Sequence, residues 1–445
     1  MTDVRTPKTS RADTESDRFF PVAPRTIEDT ELSVGFLADL VLKVLYYEGY
    51  ISGYEVAEAV KLPFKNITDR ILDFLKRDRL IEVKGSSGGA YAEAAYEYVI
   101  TGKGVERARE ILDRNQYAGP APVTLESYKN AIRKQALQNL SVGPNQVRSA
   151  LSHLVLSDRV LSQIGPAVNS SRSIFLFGHP GNGKTTIAEA IGFMILQDDM
   201  YIPYAVEVNG QVIKVFDAVS HKVIPNEGNN QYGLLPGHIQ RLDQRWVRIR
   251  RPVVVTGGEL TLESLDLNWD NTKKYYEAPL QMKANGGLFL IDDFGRQKIR
   301  PRDLLNRWIV PLEKRFDYLT LQTGNVIQIP FDMLIIFATN LEPRDLVDEA
   351  FLRRIRHKID IQDPTYDEYR EIFRRVAHSK GIRYDEQIVN YLLQEYYVKC
   401  NRQLRACHPR DILDHLTDIA RFQGITPHLS KELIDQACEG YFVDL

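Results

Sequence analysis

Residues 178–186 read GHPGNGKTT and combine three glycines with a lysine and two threonines. Glycines let a loop turn its backbone N–H groups towards phosphate oxygens, and the lysine adds a positive charge for the outer phosphates. The stretch lies between the apolar run SIFLF and the helical pattern TTIAEAIGFMIL, as a phosphate-binding loop requires. The residues predicted to bind the nucleotide are Gly178, Pro180, Gly181, Asn182, Gly183, Lys184, Thr185 and Thr186.

Two acidic residues, Asp292 and Asp293, follow four consecutive apolar residues in GGLFLIDDFGRQ. This pattern predicts a buried parallel strand that delivers carboxylates at its carboxyl end. Because Mg²⁺ prefers oxygen ligands, the Thr185 hydroxyl and the Asp292 carboxylate are the predicted metal ligands. Asp293 is placed to polarise an attacking water, so ATP and Mg²⁺ are the predicted substrate and cofactor.

With these two motifs the chain resembles the AAA+ ATPase superfamily, over about residues 145–445. Asn340 ends the apolar run MLIIFATN and matches the family's sensor 1, which orients the attacking water. Arg410, in ACHPRDILDHL, matches sensor 2, the lid arginine that responds to the nucleotide. The resemblance therefore implies a role for both side chains at the same nucleotide.

The segment DEAFLRRIRHKIDI matches the arginine-finger segment of that superfamily. Arg354 is the first candidate for the finger, and Arg356 or Arg353 is the second. Such a finger acts on the γ-phosphate held by the neighbouring subunit. The resemblance thus implies a homo-oligomeric ring, and six subunits are what it suggests.

Two features depart from a plain AAA+ module. Asp293 has a side chain one methylene shorter than the usual Glu, which predicts slow hydrolysis, although the AAA+ bacterial replication initiators share the Asp-Asp pair. In addition, DYLTLQTGNVIQIP predicts a hairpin at about 318–331, directly before the sensor 1 strand. This arrangement resembles the pre-sensor 1 hairpin clade, which contains MoxR-like ATPases, and the hairpin is expected either to touch a substrate or to buttress the sheet.

The long spacing between Lys184 and Asp292 predicts hairpin insertions at about 199–280. YAVEVNGQVIKVFD alternates apolar and polar residues around an Asn-Gly pair, the strongest short hairpin signal. RWVRIRRPVVVTGGELTLESL is predicted to form a second ribbon. Its arginines are expected on a solvated strand face, with an acidic partner as the alternative; they are Arg245, Arg248, Arg250 and Arg251.

The remaining patterns give the order of domains. Residues 1–28 are polar and proline-containing, and are predicted to be a disordered arm. Three helical patterns followed by two strands resemble a winged-helix domain. The predicted units are that domain at 29–118, a linker with helices at 119–168, an AAA+ α/β domain at 169–364 and a helical lid at 365–445 with helices at about 365–378, 385–397, 409–422 and 429–441. The predicted fold class is α/β: a P-loop NTPase parallel sheet with β-hairpin insertions and a C-terminal helical lid, preceded by a small winged-helix domain.

The winged-helix-like region has two possible partners. Its third helix, at 64–78, could contact DNA through Lys65, Asn66, Arg70, Lys76 and Arg77. Residues 31–118 contain 12 basic and 14 acidic residues, however, and phosphate attraction dominates DNA affinity. Contact with a protein is therefore preferred, and contact with DNA is the alternative.

Composition narrows the class of protein. The chain has 57 basic and 59 acidic residues, so its surface as a whole is not built to bind nucleic acid. It lacks an apolar run long enough to span a membrane, and its three cysteines are not spaced for zinc, which together predict a soluble cytoplasmic protein. The preferred function is a ring-forming remodelling ATPase that acts on a protein partner. The alternatives are a DNA-directed ATPase or regulator and a nucleotide-gated scaffold with very slow turnover.

Overall fold

The computed structural model describes residues 19–86, 93–137, 141–195, 198–225, 232–235, 238–346 and 352–442. Within these ranges, no helix has both the length and the hydrophobicity needed to cross a membrane.

The N-terminal unit packs four helices on a three-stranded antiparallel sheet. The helices are α1 (Val34–Glu48), α2 (Gly53–Val60), α3 (Asp69–Arg77) and α4 (Gly102–Leu112), and the strands are β1 (Tyr50–Ser52), β2 (Ile81–Ser86) and β3 (Tyr96–Ile100). Strand β3 lies between β1 and β2. Two of the three predicted helices and the two predicted strands are present. The predicted third helix, at 64–78, is shorter than expected: α3 begins at Asp69, because Lys65 and Asn66 have non-helical backbone conformations, with a φ of 69° at Asn66. Strand β1 and helix α4 are additional elements.

Residues 19–28 belong to the fold, which corrects the predicted disordered arm for this part of the chain. The ring of Phe19 lies 5.4 Å from the ring of Trp246, and Val22 forms a β-bridge with Leu242. The aromatic and apolar residues of FFPV explain this packing, because they bury surface against the middle of the chain. The first 18 residues of the predicted arm lie outside the described residues.

Between residues 119 and 360 the chain forms two main sheets with flanking helices. The strands are β4 (Val123–Thr124), β5 (Ser173–Phe177), β6 (Asp199–Pro203), β7 (Ala205–Val208), β8 (Gln211–Lys214), β9 (Tyr232–Leu235), β10 (His238–Arg241), β11 (Trp246–Arg250), β12 (Val253–Thr256), β13 (Asn268–Asp270), β14 (Tyr275–Glu277), β15 (Leu288–Ile291), β16 (Phe316–Thr320), β17 (Val326–Pro330), β18 (Leu334–Thr339) and β19 (His357–Asp360). The helices are α5 (Leu125–Lys134), α6 (Pro144–Ala150), α7 (Asp158–Asn169), α8 (Lys184–Ile195), α9 (Leu280–Lys283), α10 (Pro301–Lys314) and α11 (Pro343–Leu346).

The central sheet is parallel and has the order β12-β15-β18-β5-β19. Alternate residues of its inner strands face opposite sides: one set packs with α7 and α8, and the other packs with α10 around Trp308. Both faces are therefore covered, which explains the continuous apolar runs in the sequence. The predicted P-loop type of α/β sheet is confirmed.

The second sheet is mixed and has the order β13-β14-β8-β7-β4. The predicted hairpin of β7 and β8 is present, and Asn209 and Gly210 at its turn have φ of 53° and 78°. The predicted second ribbon is wrong: β11 pairs with β6, whereas β12 is a strand of the central sheet. The sequence could not separate them, because both are short runs of β-forming residues and differ only in their partners.

Three of the four arginines around β11 are not on a solvated face, which corrects that expectation. Arg245 is buried and its Nη2 donates to Asp243 at 2.8 Å, and Arg251 is buried against Asp198. Arg248 is partly buried and pairs with Asp199. Only Arg250 of this group is exposed. The other three arginines therefore form ion pairs inside the protein.

The predicted hairpin before the sensor 1 strand is formed by β16 and β17. Leu319, Ile327 and Ile329 of this hairpin are buried in the core that contains the second sheet and α5. Tyr318 and Val326, on the other face, are 50% and 61% exposed. One face of the hairpin thus buttresses the fold, and the other is accessible.

The C-terminal module is helical, as predicted. Its helices are α12 (Tyr366–Ser379), α13 (Glu386–Leu392), α14 (His408–Phe422) and α15 (Lys431–Tyr441), and a π-helical turn, Leu393–Val398, follows α13. The Thr365 side chain caps α12 in a reciprocal pair with Glu368. A hydrogen bond of 2.8 Å joins the hydroxyls of Tyr369 and Tyr397 in the core of the module.

Candidate functional site

The predicted phosphate loop connects the end of β5 to the start of α8. Gly178, Gly181 and Gly183 have φ of 137°, 82° and 78°, which residues with a side chain rarely adopt. The Lys184 ammonium donates hydrogen bonds to the carbonyl oxygens of Gly178 at 2.9 Å and His179 at 2.8 Å. Burial lowers the pKa of Lys184, while nearby carboxylates oppose that shift. The loop therefore surrounds the Lys184 ammonium group at the start of α8.

Two oxygen donors meet where α8 begins and β15 ends. The Thr185 hydroxyl lies 3.1 and 3.0 Å from the two carboxylate oxygens of Asp292. Mg²⁺ prefers such oxygen ligands, and their proximity allows both residues to contact one ion. The residues present therefore fit a magnesium ion. The described ranges contain no cluster of three His, Cys, Asp or Glu side chains that could hold a metal, so the ion at this site would depend on the Thr185–Asp292 pair and the phosphates.

Asp293 has a left-handed backbone conformation, with φ of 48°, which is uncommon for a residue other than glycine. The turn is held by two neighbours on β18: the N–H of Phe294 donates to the Ala338 carbonyl at 2.7 Å, and the Thr339 hydroxyl donates to the Phe294 carbonyl at 2.6 Å. The Asn340 amide donates to Asp293 Oδ1 at 3.0 Å. The structure thus brings together the predicted water-activating carboxylate and the predicted sensor 1 residue.

A cavity of about 530 Å³ lies over these side chains. The Arg410 guanidinium, at the start of α14, borders the cavity and donates to Asp411 at 3.1 Å. From the predicted site, the lining includes Pro180, Gly181, Asn182, Gly183, Lys184, Thr185, Thr186, Asp292, Asp293, Asn340 and Arg410. The predicted residue Gly178 is not among the lining residues, and a Cβ added to it would be 2.2 Å from the Ile361 carbonyl oxygen.

The predicted finger arginines do not border this cavity in their own chain. The Nε of Arg354 donates to Glu313 at 2.6 Å, beside the end of α10. Arg356 borders a different surface cavity together with Arg172. That cavity lies where β5 and β19 begin, at the opposite edge of the sheet from the phosphate loop.

Several residues that surround the site were not identified from the sequence. Arg375, from α12, borders the cavity and donates to the carbonyl oxygens of Ser152 at 2.8 Å and Leu154 at 3.3 Å. Asp363 accepts a hydrogen bond from the Asn182 amide of the phosphate loop at 2.7 Å. Gln297 donates to the Asp292 backbone carbonyl at 2.8 Å and lies only five residues from it, so its place after the acidic pair could have suggested it.

Comparisons with known proteins give one family match and several distant structural similarities. Residues 365–440 match a family described as a domain of unknown function, DUF8689, and this range coincides with the helical module. No curated protein is significantly similar to the chain.

Among solved structures, RuvB of Thermotoga maritima, a Holliday junction branch migration motor, is 15% identical with a TM-score of 0.35, over 69% of this chain and 74% of that one. NtrX of Brucella abortus in complex with ADP is 12% identical with a TM-score of 0.35, over 82% of this chain and 59% of that one. The NtrX complex with ATP is 13% identical with the same TM-score, over 84% and 65%. Similarity at this level does not transfer an activity.

Proposed function

We propose that this chain is a Mg²⁺-dependent ATPase of the AAA+ type. The observation that carries the proposal is the convergence on one cavity of Lys184, the Thr185–Asp292 pair and the Asp293–Asn340 pair. Three separate parts of the chain supply these groups, and they meet because the carboxyl ends of parallel strands lie at one edge of the sheet.

The proposed mechanism assigns one task to each group. Backbone N–H groups of the loop and the Lys184 ammonium bind the β- and γ-phosphates. Thr185 and Asp292 would hold Mg²⁺, which neutralises charge that develops on the phosphates. Asn340 holds the Asp293 carboxylate in place, and that carboxylate orients the attacking water and accepts its proton. The products are ADP and phosphate.

The proposal includes a homo-oligomeric ring in which Arg354 or Arg356 reaches the neighbouring nucleotide. Support comes from two positions: Arg356 borders a cavity where β5 and β19 begin, and Arg354 pairs with Glu313 near the end of α10, so neither borders the cavity over its own phosphate loop. Mass measurement of Asp293→Asn, with and without ATP, tests this assembly. A ring is expected with ATP, and a monomer under all nucleotide conditions would refute the action of an arginine between subunits.

The proposed partner is a protein, recruited by the winged-helix-like N-terminal unit. On α3 the exposed Lys76 lies 3.7 Å from the exposed carboxylate of Asp73, and Asp78 follows directly after the helix. This mixed surface suits a protein better than a phosphate backbone. Duplex DNA binding with a steep salt dependence, abolished by changing Lys76 and Arg77, would instead establish the DNA-directed alternative.

Nucleotide assays on purified protein test the enzymatic part of the proposal. Wild-type protein should bind ATP and release phosphate only when Mg²⁺ is present. Lys184→Ala should lose binding, whereas Asp293→Asn should bind ATP but lose turnover. Asp367→Asn is a matched control, because the Asp367 side chain is 96% exposed on α12 and forms an ion pair with Arg370, one turn along the same helix. Tight ATP binding without detectable turnover in the wild-type protein would favour the scaffold alternative.

A further inference from the structure

The start of the helical module runs directly beside the phosphate loop. Strands β5 and β19 are parallel neighbours, so both chains leave the sheet at the same edge. The Ile361 N–H donates to the Phe177 carbonyl at 2.8 Å, one residue before the loop begins. Gly178 is so close to Ile361 that no side chain fits between them. A movement of the segment that follows β19 would therefore also displace the phosphate loop.

Asp363, in this segment, contacts both the phosphate loop and the helical module. Its Oδ1 accepts a hydrogen bond from the Asn182 amide at 2.7 Å and lies 3.2 Å from the Nδ1 of His179. Its other oxygen, Oδ2, forms an ion pair with Arg405. The side chains of Asp363 and Arg405 are 19% and 18% exposed, respectively. These hydrogen bonds and the Arg405 charge hold the pKa of Asp363 below its usual value against the effect of burial. One carboxylate therefore joins two loop residues to the segment before α14.

Two further hydrogen bonds join the same partners. The N–H of Ala406 donates to Asn182 Oδ1 at 3.2 Å, and the N–H of Cys407 donates to the Gly181 carbonyl at 2.8 Å. An added Cβ on Gly181 would lie 2.5 Å from the Cys407 sulfur, so the two segments are in direct contact. Asn182 is thus held on both ends of its amide, by Asp363 and by the Ala406 backbone.

We propose that Asp363 is a positioning residue that couples the conformation of the phosphate loop to the orientation of the helical module. Asp363 is not among the residues that line the cavity, and it acts through Asn182 and Arg405. The inference rests on the proposed function, since it takes the loop to be the ATP site. By thermodynamic reciprocity, ATP in the loop then favours one orientation of the module, and fixing the module alters ATP affinity by the same factor.

The contact is tested first without nucleotide, by hydrogen exchange of the Ala406 and Cys407 amides, whose acceptors are loop atoms. Asp363→Ala and Arg405→Ala should each accelerate this exchange by at least about fivefold. Asp363→Asn keeps the size of the side chain and serves if the alanine variant folds poorly. Asp367→Ala, four residues away on an exposed surface, should exchange like the wild type. Wild-type exchange in Asp363→Ala or Asp363→Asn would overturn the proposal whether or not the protein binds ATP.

The coupling is tested second, by calorimetric titration with ATP and Mg²⁺. Asp363→Ala and Arg405→Ala should each weaken ATP binding by about fivefold or more, and Asp363→Glu should recover part of the loss. Because both side chains act in one contact, the double variant should bind ATP no more weakly than the single variant that has the lower ATP affinity. Unchanged affinity in Asp363→Ala, or fully additive losses in the double variant, would overturn the coupling. If the wild-type protein binds no ATP, the proposed function fails, while the exchange experiment still decides the contact.

Discussion

Replacing Asn340 by alanine should slow ATP hydrolysis and leave ATP affinity unchanged. Asn340 donates its amide hydrogen to Asp293 Oδ1, so this hydrogen bond supports the acidic strand end and not the phosphate loop. The backbone turn at Asp293 should survive the change, because Ala338 and Thr339 hold Phe294 by hydrogen bonds that do not involve Asn340. The variant should therefore lose only the orientation of the carboxylate.

The size of the effect follows from that hydrogen bond. A bond of 3.0 Å from an amide to a charged acceptor is worth about 1.5–3 kcal/mol. If all of it is lost in the transition state, kcat falls by about 10- to 150-fold. Because Asp293 is exposed, water replaces part of the interaction, so the lower end of about tenfold is expected.

Single-turnover hydrolysis at saturating ATP, with calorimetry for affinity, measures this effect. Asn325→Ala makes the same chemical change at the exposed turn of the β16–β17 hairpin and serves as the matched control. If Asn340 acts through Asp293, then Asn340→Ala should have no further effect in an Asp293→Ala background. A change below about threefold in kcat, or a full additional loss in that background, would refute the assigned role.

Three further predictions concern stability. Burial lowers the pKa of Lys43 to about 8, so the folded state loses this proton at a lower pH than the unfolded state does, and the stability of the wild type should rise between pH 8 and 10.5. Lys43→Met should increase the free energy of urea unfolding by up to roughly 3 kcal/mol at pH 7, and this gain should vanish as the pH rises to 10.5. Arg251→Ala removes hydrogen bonds to Asp198 and to the Gln135 and Gly286 carbonyls and should cost about 3 kcal/mol, whereas the exposed neighbour Arg250→Ala should cost below about 0.5 kcal/mol in the same unfolding experiment. Gly178→Ala forces a Cβ to within 2.2 Å of the Ile361 carbonyl oxygen and should lower the thermal midpoint well below that of Gly183→Ala, where nothing lies within 4 Å of the added atom; equal midpoints would contradict the close approach.

The local part of the candidate site could be predicted because the residues that form it are close together in the sequence. The glycines that the loop needs for positive φ lie within six residues of one another, and Lys184 follows the last of them directly. Apolar runs that end in Asp292 and Asn340 predict strand ends, and parallel strands place their ends at one edge. The Asn-Gly turn of β7 and β8 was predictable for the same reason, since two residues decide its backbone.

The contacts that surround the site could not be predicted in this way. Strand β12 differs from an inserted ribbon only in its parallel partner β15, and that pairing is a property of the folded chain. Arg251 is close in sequence to the exposed Arg250, but its neighbours are Asp198 and backbone carbonyls of distant segments. Alternation along the strand places these two arginines differently, and only the packing of two sheets decides which one is buried.

By itself the sequence determined the phosphate loop, the acidic strand end, the strand that precedes Asn340 and the helical module, because each depends on residues close together in the chain. The tertiary structure decided what completes them. Asp363 reaches Asn182 across 181 positions of the chain, and Arg375 reaches Ser152 across 223. Such contacts depend on which strands become neighbours in the sheet, and no local pattern of residues encodes that choice.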